Sequence, residues 1–164
     1  MTVALIKTDF GEIAIELFEN DAPKTCANFI KLAKEKFYDN LIFHRVVKDY
    51  VIQGGCPKGD GTGGPGWTIP LEVTQHKHIP GAVGMARMQE PDTAGSQFYI
   101  CCARLEHLDG KYCIFGQVIR GMDVVRKIEE VEVEPFFIGG TALHKPKEPV
   151  FIRSVQIVKE KKKT

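Results

Sequence analysis

The residues Ile42-Phe43-His44-Arg45-Val46-Val47, followed after Lys48-Asp49 by Tyr50-Val51-Ile52-Gln53 and then Gly54-Gly55, form two short apolar runs broken by turn residues. Runs of four to six apolar and β-branched residues between turn signals read as strands, not helices. Three further runs of this kind lie at 82–86, 98–102 and 113–119. Several short strands with Gly and Pro between them predict a mainly β domain, a closed barrel or a sandwich. Arg45 and Gln53 share their stretch with several apolar residues, whereas an Arg in a strand is ordinarily a surface residue.

Upstream, 3–8 and 12–18 are apolar and β-branched, with Asp9-Phe10-Gly11 as the turn of a hairpin. A helix is expected next. Asp21 is placed to accept from the first free amides, and Pro23 sits just inside, where its missing N–H costs nothing. Ala22, Cys26, Phe29, Ile30 and Ala33 then recur on one helical face. Downstream, a second helix is expected over 122–130 with Val125 and Ile128 inward, and a last strand over 150–158 that pairs with the first and closes the sheet. The loosest segments are 54–70, which holds seven of the sixteen glycines, and 134–149. No repeat or low-complexity tract appears.

The 164 residues suit one domain, since domains cluster near about 100 to 150 residues. We assign it to 1–158, leaving 159–164 as a short basic tail, a solvated end. Hydrophobic residues at 43% and charged ones at 26% describe an ordinary globular composition. Twenty-two Lys and Arg against 21 Asp and Glu leave a net charge of +1, which argues against general affinity for nucleic acid or anionic lipid. No run approaches the roughly 18 apolar residues that span a bilayer. The first apolar run stops at Lys7, too short for a secretory signal, so a cytoplasmic protein is expected. The odd cysteine count (Cys26, Cys56, Cys101, Cys102, Cys113), without a C-x-x-C pair, reads as reduced, buried thiols.

Most familiar chemistry finds no home here. Gly59-Asp60-Gly61-Thr62-Gly63-Gly64 fits the spacing G-x-G-x-x-G, but Pro65-Gly66-Trp67 follows, where the dinucleotide fingerprint requires a helix start. His76-x-His78 offers two metal ligands to which Cys56 or Cys101 and Cys102 could add, but the His pair lies in a Lys-containing loop and the vicinal Cys pair inside an apolar strand, so they read as a solvated loop and core thiols. Gly95-Ser96-Gln97 lacks the second glycine of a nucleophile elbow. A Cys–His nucleophilic pair has no local signature to support it. No cofactor and no metal is expected.

A different pattern remains. Phe43-His44-Arg45, Gln53-Gly54-Gly55, Gly61-Thr62-Gly63-Gly64, Gly84-Met85-Ala86, Gly95-Ser96-Gln97-Phe98-Tyr99-Ile100, Leu108-Asp109-Gly110-Lys111 and Phe115-Gly116-Gln117-Val118 closely resemble the cyclophilins, in the family's order and spacing over nearly the whole chain. The resemblance implies a closed eight-stranded antiparallel β-barrel capped by two α-helices. It also implies peptidyl-prolyl cis–trans isomerisation, which breaks no bond and so requires no nucleophile or metal. The alternative is a module of the same fold that holds Pro-containing peptides without turnover. Carried over position by position, Arg45 is the catalytic donor and Gln53 its support. Tyr50, Val51, Tyr99 and Leu108 form the proline pocket, and the backbone at Ala86 and Arg87 pairs with an extended peptide. Gln97, His107 and Tyr112 line the rim.

Partners on this reading are proline-containing peptides and unfolded or flexible proteins, met by a monomer. The chain also departs from the best-known members. Tyr50 and Tyr99 replace Phe, Val51 replaces Met, His107 stands where many carry Trp, and Tyr112 where many carry His. The segment Gln89-Glu90-Pro91-Asp92 makes its loop one residue longer, as in many prokaryotic members. A Tyr hydroxyl must find water or a partner. With His107 in place of an indole at the rim, cyclosporin binding is expected to be weak, and the sole tryptophan, Trp67, is expected outside the proline pocket.

Overall fold

The expected opening hairpin forms as β1 (Thr2–Thr8) and β2 (Gly11–Leu17), and the side chain of Thr8 ties its turn. Thr8 Oγ1 donates to the Gly11 carbonyl at 2.8 Å and accepts from the Phe10 amide at 3.1 Å. The chain then runs through α1 (Pro23–Lys34), β3 (Leu41–Ile42), β4 (Arg45–Val47), β5 (Val51–Gly54), β6 (Ala82–Met85) and β7 (Phe98–Cys101). A 3-10 turn (Glu106–Leu108) follows, then β8 (Ile114–Arg120), α2 (Met122–Glu129), β9 (Val133–Ile138), β10 (Thr141–Pro146) and β11 (Phe151–Lys159). This computed structural model describes residues 1–138 and 141–161.

Helix α1 has Pro23 in its first turn and buries Cys26, Phe29 and Ala33 as the spacing predicts, with Leu32 buried as well and Ile30 only partly so. Its cap differs from expectation, because Asp21 makes no capping bond. Glu72 reaches in from a distant loop instead. It accepts from the amides of Lys24 and Thr25 at 3.2 and 2.7 Å and from Thr25 Oγ1 at 2.7 Å. A carboxylate satisfies orphan amides and the helix dipole wherever in the chain it originates. Asp21 is bonded to His76 Nε2 at 2.7 Å.

Nine strands form one antiparallel sheet in the order β3-β11-β1-β2-β8-β6-β7-β5-β4, and β9 and β10 form a separate hairpin. The mainly β class and the two helices agree with expectation, as does pairing of the last strand with the first. Closure and strand count differ. The expected strand over 42–47 breaks at Phe43 and His44, both buried, and its halves become the two edges of the sheet. Phe43 still donates to the Val150 carbonyl beside β11, at 3.0 Å, while Arg45 already pairs with β5. Counting β3 and β4 as one interrupted strand gives the expected eight. The sheet therefore curls until its edges meet through two covalently linked residues, without a ladder between them. A Cβ on Gly54 of β5 would lie 3.0 Å from the Ile42 carbonyl oxygen of β3, so glycine here eases a close approach across the gap.

The segment over 134–149, expected to be loose, contains the β9–β10 hairpin, which packs against β4. Pro135 and Pro146 disguise it, yet proline is tolerated in a ribbon with open edges. The glycine-rich stretch after Gly54 is irregular as expected, apart from a bridge between Ile69 and Ala94. Lys159, placed in the tail by sequence, ends β11 opposite Thr2, and Arg120 grips the Glu160 carboxylate at 2.7 and 2.9 Å. Residues 162–164 of the expected basic tail lie outside the described residues.

The core fills the inside of the curl. Phe29, Tyr38, Phe43, Phe98 and Phe115 are fully buried and meet at mostly tilted or edge-on angles. A second, smaller cluster centred on Val51, Ala82, Tyr99, Cys101, Leu105 and Ile114 lies apart from it. Successive residues of a strand point to opposite faces, and that alternation separates the two clusters.

Candidate active site

Strand register builds the site. Arg45 of β4 stands opposite Gln53 of β5, Gln53 opposite Tyr99 of β7, and Tyr99 opposite Gly84 of β6. Four strands thus carry one row, Arg45–Gln53–Tyr99–Gly84, across a single face. Their neighbours Val46, Ile52, Phe98, Ile100, Val83 and Met85 point into the core. Gly84 is required in this row: a Cβ there would lie 2.4 Å from both Cζ and Oη of Tyr99, so the ring can lie flat across the backbone.

Polar side chains continue the row as a relay. Arg45 Nη1 donates to Gln53 Oε1 at 3.2 Å, and Gln53 Nε2 donates to Gln97 Oε1 at 3.2 Å. Gln97 Nε2 in turn donates to the carbonyls of Gly61 and Gly63, each at 2.9 Å. The guanidinium is therefore aimed by the glycine-rich loop through two amides. Gln97, expected at the rim, is a middle link of this chain. Arg45 Nε is buried with no acceptor among the described residues, and the guanidinium lies 5.7 Å from the Tyr50 ring centroid.

Beside the relay lies the small apolar cluster, in which Val51 and Tyr99 are 2% and 5% exposed and Leu108, Tyr50 and Tyr112 pack partly buried against it. Tyr50 Oη is 3.1 Å from His107 Nε2, which ties Tyr50 to the exposed 3-10 turn. Tyr112 stands edge-on to Tyr99, with the Arg87 guanidinium 4.6 Å from its ring centroid. Arg87 also donates to the Lys111, Met88 and Gln89 carbonyls, which holds the loop after β6. The Ala86 amide is already bonded to the Gln97 carbonyl at 2.9 Å.

A cavity of about 290 Å³ adjoins the relay, lined among others by Gln53, Ala86, Arg87, Gln97 and Trp67. Trp67 lines this cavity and is not part of the Val51–Tyr99 cluster. Its Nε1 donates to Asn28 Oδ1 at 2.8 Å, and Lys31 Nζ stands 4.7 Å from its ring centroid.

The loop histidines depart most from the sequence reading. His76 stacks on Phe18, with centroids 3.9 Å apart. His78 is not solvated: it is completely buried, with Nε2 2.7 Å from Tyr99 Oη and Nδ1 3.0 Å from Asp109 Oδ1. The Tyr99 hydroxyl thus has its partner in the buried His78. The missed signal is the alternation Glu72, Thr74, His76, His78, in which every second side chain points inward and makes a bond. No group of three or more His, Cys, Asp or Glu side chains among the described residues forms a metal site. All five cysteines are free and buried, and burial pushes the Cys101 and Cys102 thiols up to about 12.

Residues 3–157 match the family described as cyclophilin type peptidyl-prolyl cis-trans isomerase/CLD. A peptidyl-prolyl cis-trans isomerase of Synechococcus elongatus is 50% identical over 117 residues, covering 71% of this chain and 80% of the relative. Peptidyl-prolyl cis-trans isomerase B of Bacillus subtilis is 46% identical over 127 residues, covering 76% and 88%. Among solved structures, a cyclophilin type isomerase of Cryptosporidium parvum, crystallised in the presence of the dipeptide Ala-Pro, superposes with a TM-score of 0.88 at 34% identity over 96% of this chain and 99% of its own. The match over nearly the whole chain, together with the row and relay that the fold assembles, shows that this protein belongs to the cyclophilin-type peptidyl-prolyl cis–trans isomerases.

Proposed function

We propose that Arg45 and Gln53 catalyse rotation about X–Pro peptide bonds, with the proline ring seated on Tyr99 and Val51 between Tyr50 and Leu108. The barrier to rotation is about 18–20 kcal/mol, and uncatalysed exchange takes tens of seconds or longer. An acceleration of about 10⁵ requires roughly 7 kcal/mol of transition-state stabilisation. In the twisted amide, conjugation is lost and the lone pair localises on the proline nitrogen. A guanidinium can donate to that lone pair and to a neighbouring carbonyl at once. The apolar floor disfavours the dipolar planar amide relative to the twisted one.

The observation that carries this reading is the relay: Gln53 and Gln97 hold one edge of the Arg45 guanidinium, and Nη2 has no acceptor among the described residues. An extended peptide would then pair with the Ala86 carbonyl and the Arg87 amide, since the Ala86 amide is taken. Recognition of proline peptides is supported by the Cryptosporidium relative, which was crystallised with Ala-Pro. The names of the curated relatives favour turnover over a silent binding module.

Flexible or unfolded Pro-containing segments are the natural clients of an open groove, met by a monomer. Cyclosporin binds weakly because His107, exposed and engaged with Tyr50, offers less apolar area than an indole. Five buried, unpaired thiols suit a reducing cytoplasm, and residues 1–158, with Lys159 completing β11, act as one domain. An NMR exchange assay on a short X–Pro peptide tests the reading. The parent should isomerise it and Arg45→Ala should lose tenfold or more, whereas equal rates in the two would refute the assignment.

A further inference from the structure

The buried imidazole of His78 joins two walls of the proline pocket that the sheet does not itself connect. Its Nε2 is 2.7 Å from the Tyr99 hydroxyl on β7, and the two rings lie nearly parallel, 14° apart. Its Nδ1 and its backbone amide both meet Asp109 Oδ1, at 3.0 and 2.8 Å. Asp109 directly follows the 3-10 turn that carries His107 and Leu108, and its other oxygen accepts from Arg104 at 2.8 Å.

The protonation pattern follows from these partners. The Arg104 guanidinium, with the His78 amide, holds the Asp109 carboxyl well below the usual carboxylate range, so Asp109 is an acceptor only. Burial lowers the basicity of His78 and keeps its ring neutral. Nδ1 therefore carries the proton and donates to Asp109, and Nε2 accepts from the Tyr99 hydroxyl. Both ring nitrogens are occupied, and the Tyr99 ring is confined between His78 and the bare backbone of Gly84.

On the reading that this pocket receives proline, we infer that His78 is a positioning residue for substrate recognition, holding the Tyr99 floor and, through Asp109, the Leu108 wall in one fixed arrangement. A floor already ordered before binding spares the substrate the cost of ordering it. The effect lies in proline affinity and not in the twisting step, because His78 touches neither Arg45 nor the relay.

The test compares Tyr99→Phe, His78→Asn and the double variant with the parent, reading KM, kcat and melting temperature on one Ala-Pro tetrapeptide. Asn keeps a donor for Asp109 and removes the acceptor for Tyr99. Each single variant should raise KM about three- to tenfold, the range of one hydrogen bond, with kcat within about twofold. The double variant should be no worse than the stronger single, because both remove the same interaction. His78→Gln, which places an amide oxygen near the old Nε2, should recover part of the affinity even if it melts earlier. An unchanged KM in Tyr99→Phe, additive losses in the double variant, or a lowered melting temperature with parental KM in His78→Asn would each overturn the inference. Should His78→Asn fail to fold, Tyr99→Phe decides alone, since it removes a single oxygen. A parent that binds the peptide without isomerising it would refute the catalytic reading, and the same series read as Kd would still decide the role of His78.

Discussion

The two faces of the strand group β4, β5, β7 and β6 share one backbone and one register, yet they are built from opposite materials. Inward lie Val46, Ile52, Phe98, Ile100, Val83 and Met85, none more than 2% exposed. Outward lie Arg45 and Gln53, joined by a side-chain hydrogen bond, and Tyr99, whose ring fits only because Gly84 has no side chain. A period of two lets one face supply stability while the other supplies chemistry. The separation is incomplete at Tyr99, where the outer face is itself buried against His78.

Substitutions on the two faces should therefore separate stability from turnover. The largest effect belongs to the inner face. Phe98→Ala removes a ring that meets Phe29, Tyr38 and Phe43 and should cost about 3–5 kcal/mol in urea unfolding. That is a large share of the roughly 5–15 kcal/mol typical of a domain. A loss below about 1 kcal/mol would mean that this part of the core is loosely packed.

Next in size is an acid effect at the hinge between the faces. Burial, reinforced by the neighbouring Arg45, lowers the His44 pKa to about 4, and its Nδ1 is buried without a partner among the described residues. The unfolded chain therefore binds a proton that the folded chain refuses. Stability should decline as pH falls from about 6.5 toward 4, by up to about 1.4 kcal/mol per unit of pKa difference. His78, also lowered by burial, adds to the same slope. Melting curves across that window should flatten in His44→Gln, and an unchanged slope would assign the acid loss elsewhere.

On the outer face, Arg45→Ala should lower kcat/KM tenfold or more while the melting temperature stays nearly constant. Truncation there exposes no core and removes a buried Nε donor that has no acceptor among the described residues. Arg45→Lys should not rescue activity, since a point charge cannot replace a planar fork of donors. A concurrent fall in melting temperature would show that the faces are coupled at this position. The smallest effect on turnover is at the rim. His107→Trp should tighten cyclosporin about tenfold, by gaining apolar area and one donor, with little change in kcat/KM. No gain in affinity would point to the rest of the rim.

The sequence was most legible where signals are local. The opening hairpin, the buried face of α1, Val125 and Ile128 of α2, and most strands within a residue or two came from period and turn chemistry alone. The family motifs carried Arg45 and Gln53, which the register then placed opposite each other.

Other features were decided only by the tertiary structure. The cap of α1 comes from Glu72, 47 and 48 positions beyond the amides it serves. The burial of His78 depends on Tyr99 and Asp109, 21 and 31 positions away. Gln97 acquires its place in the relay from Gly61 and Gly63 across a loop. The strand over 42–47 looks continuous, but the curl of a nine-stranded sheet splits it between two edges. Periodicity and turn chemistry are written within a few neighbouring residues, whereas a carboxylate, an imidazole or an amide shows its partner only after the sheet has closed around it. For that reason the chain by itself determined most of the residues that face inward and offered Arg45 and Gln53 as the candidate pair, and the fold alone decided what holds that pair in place.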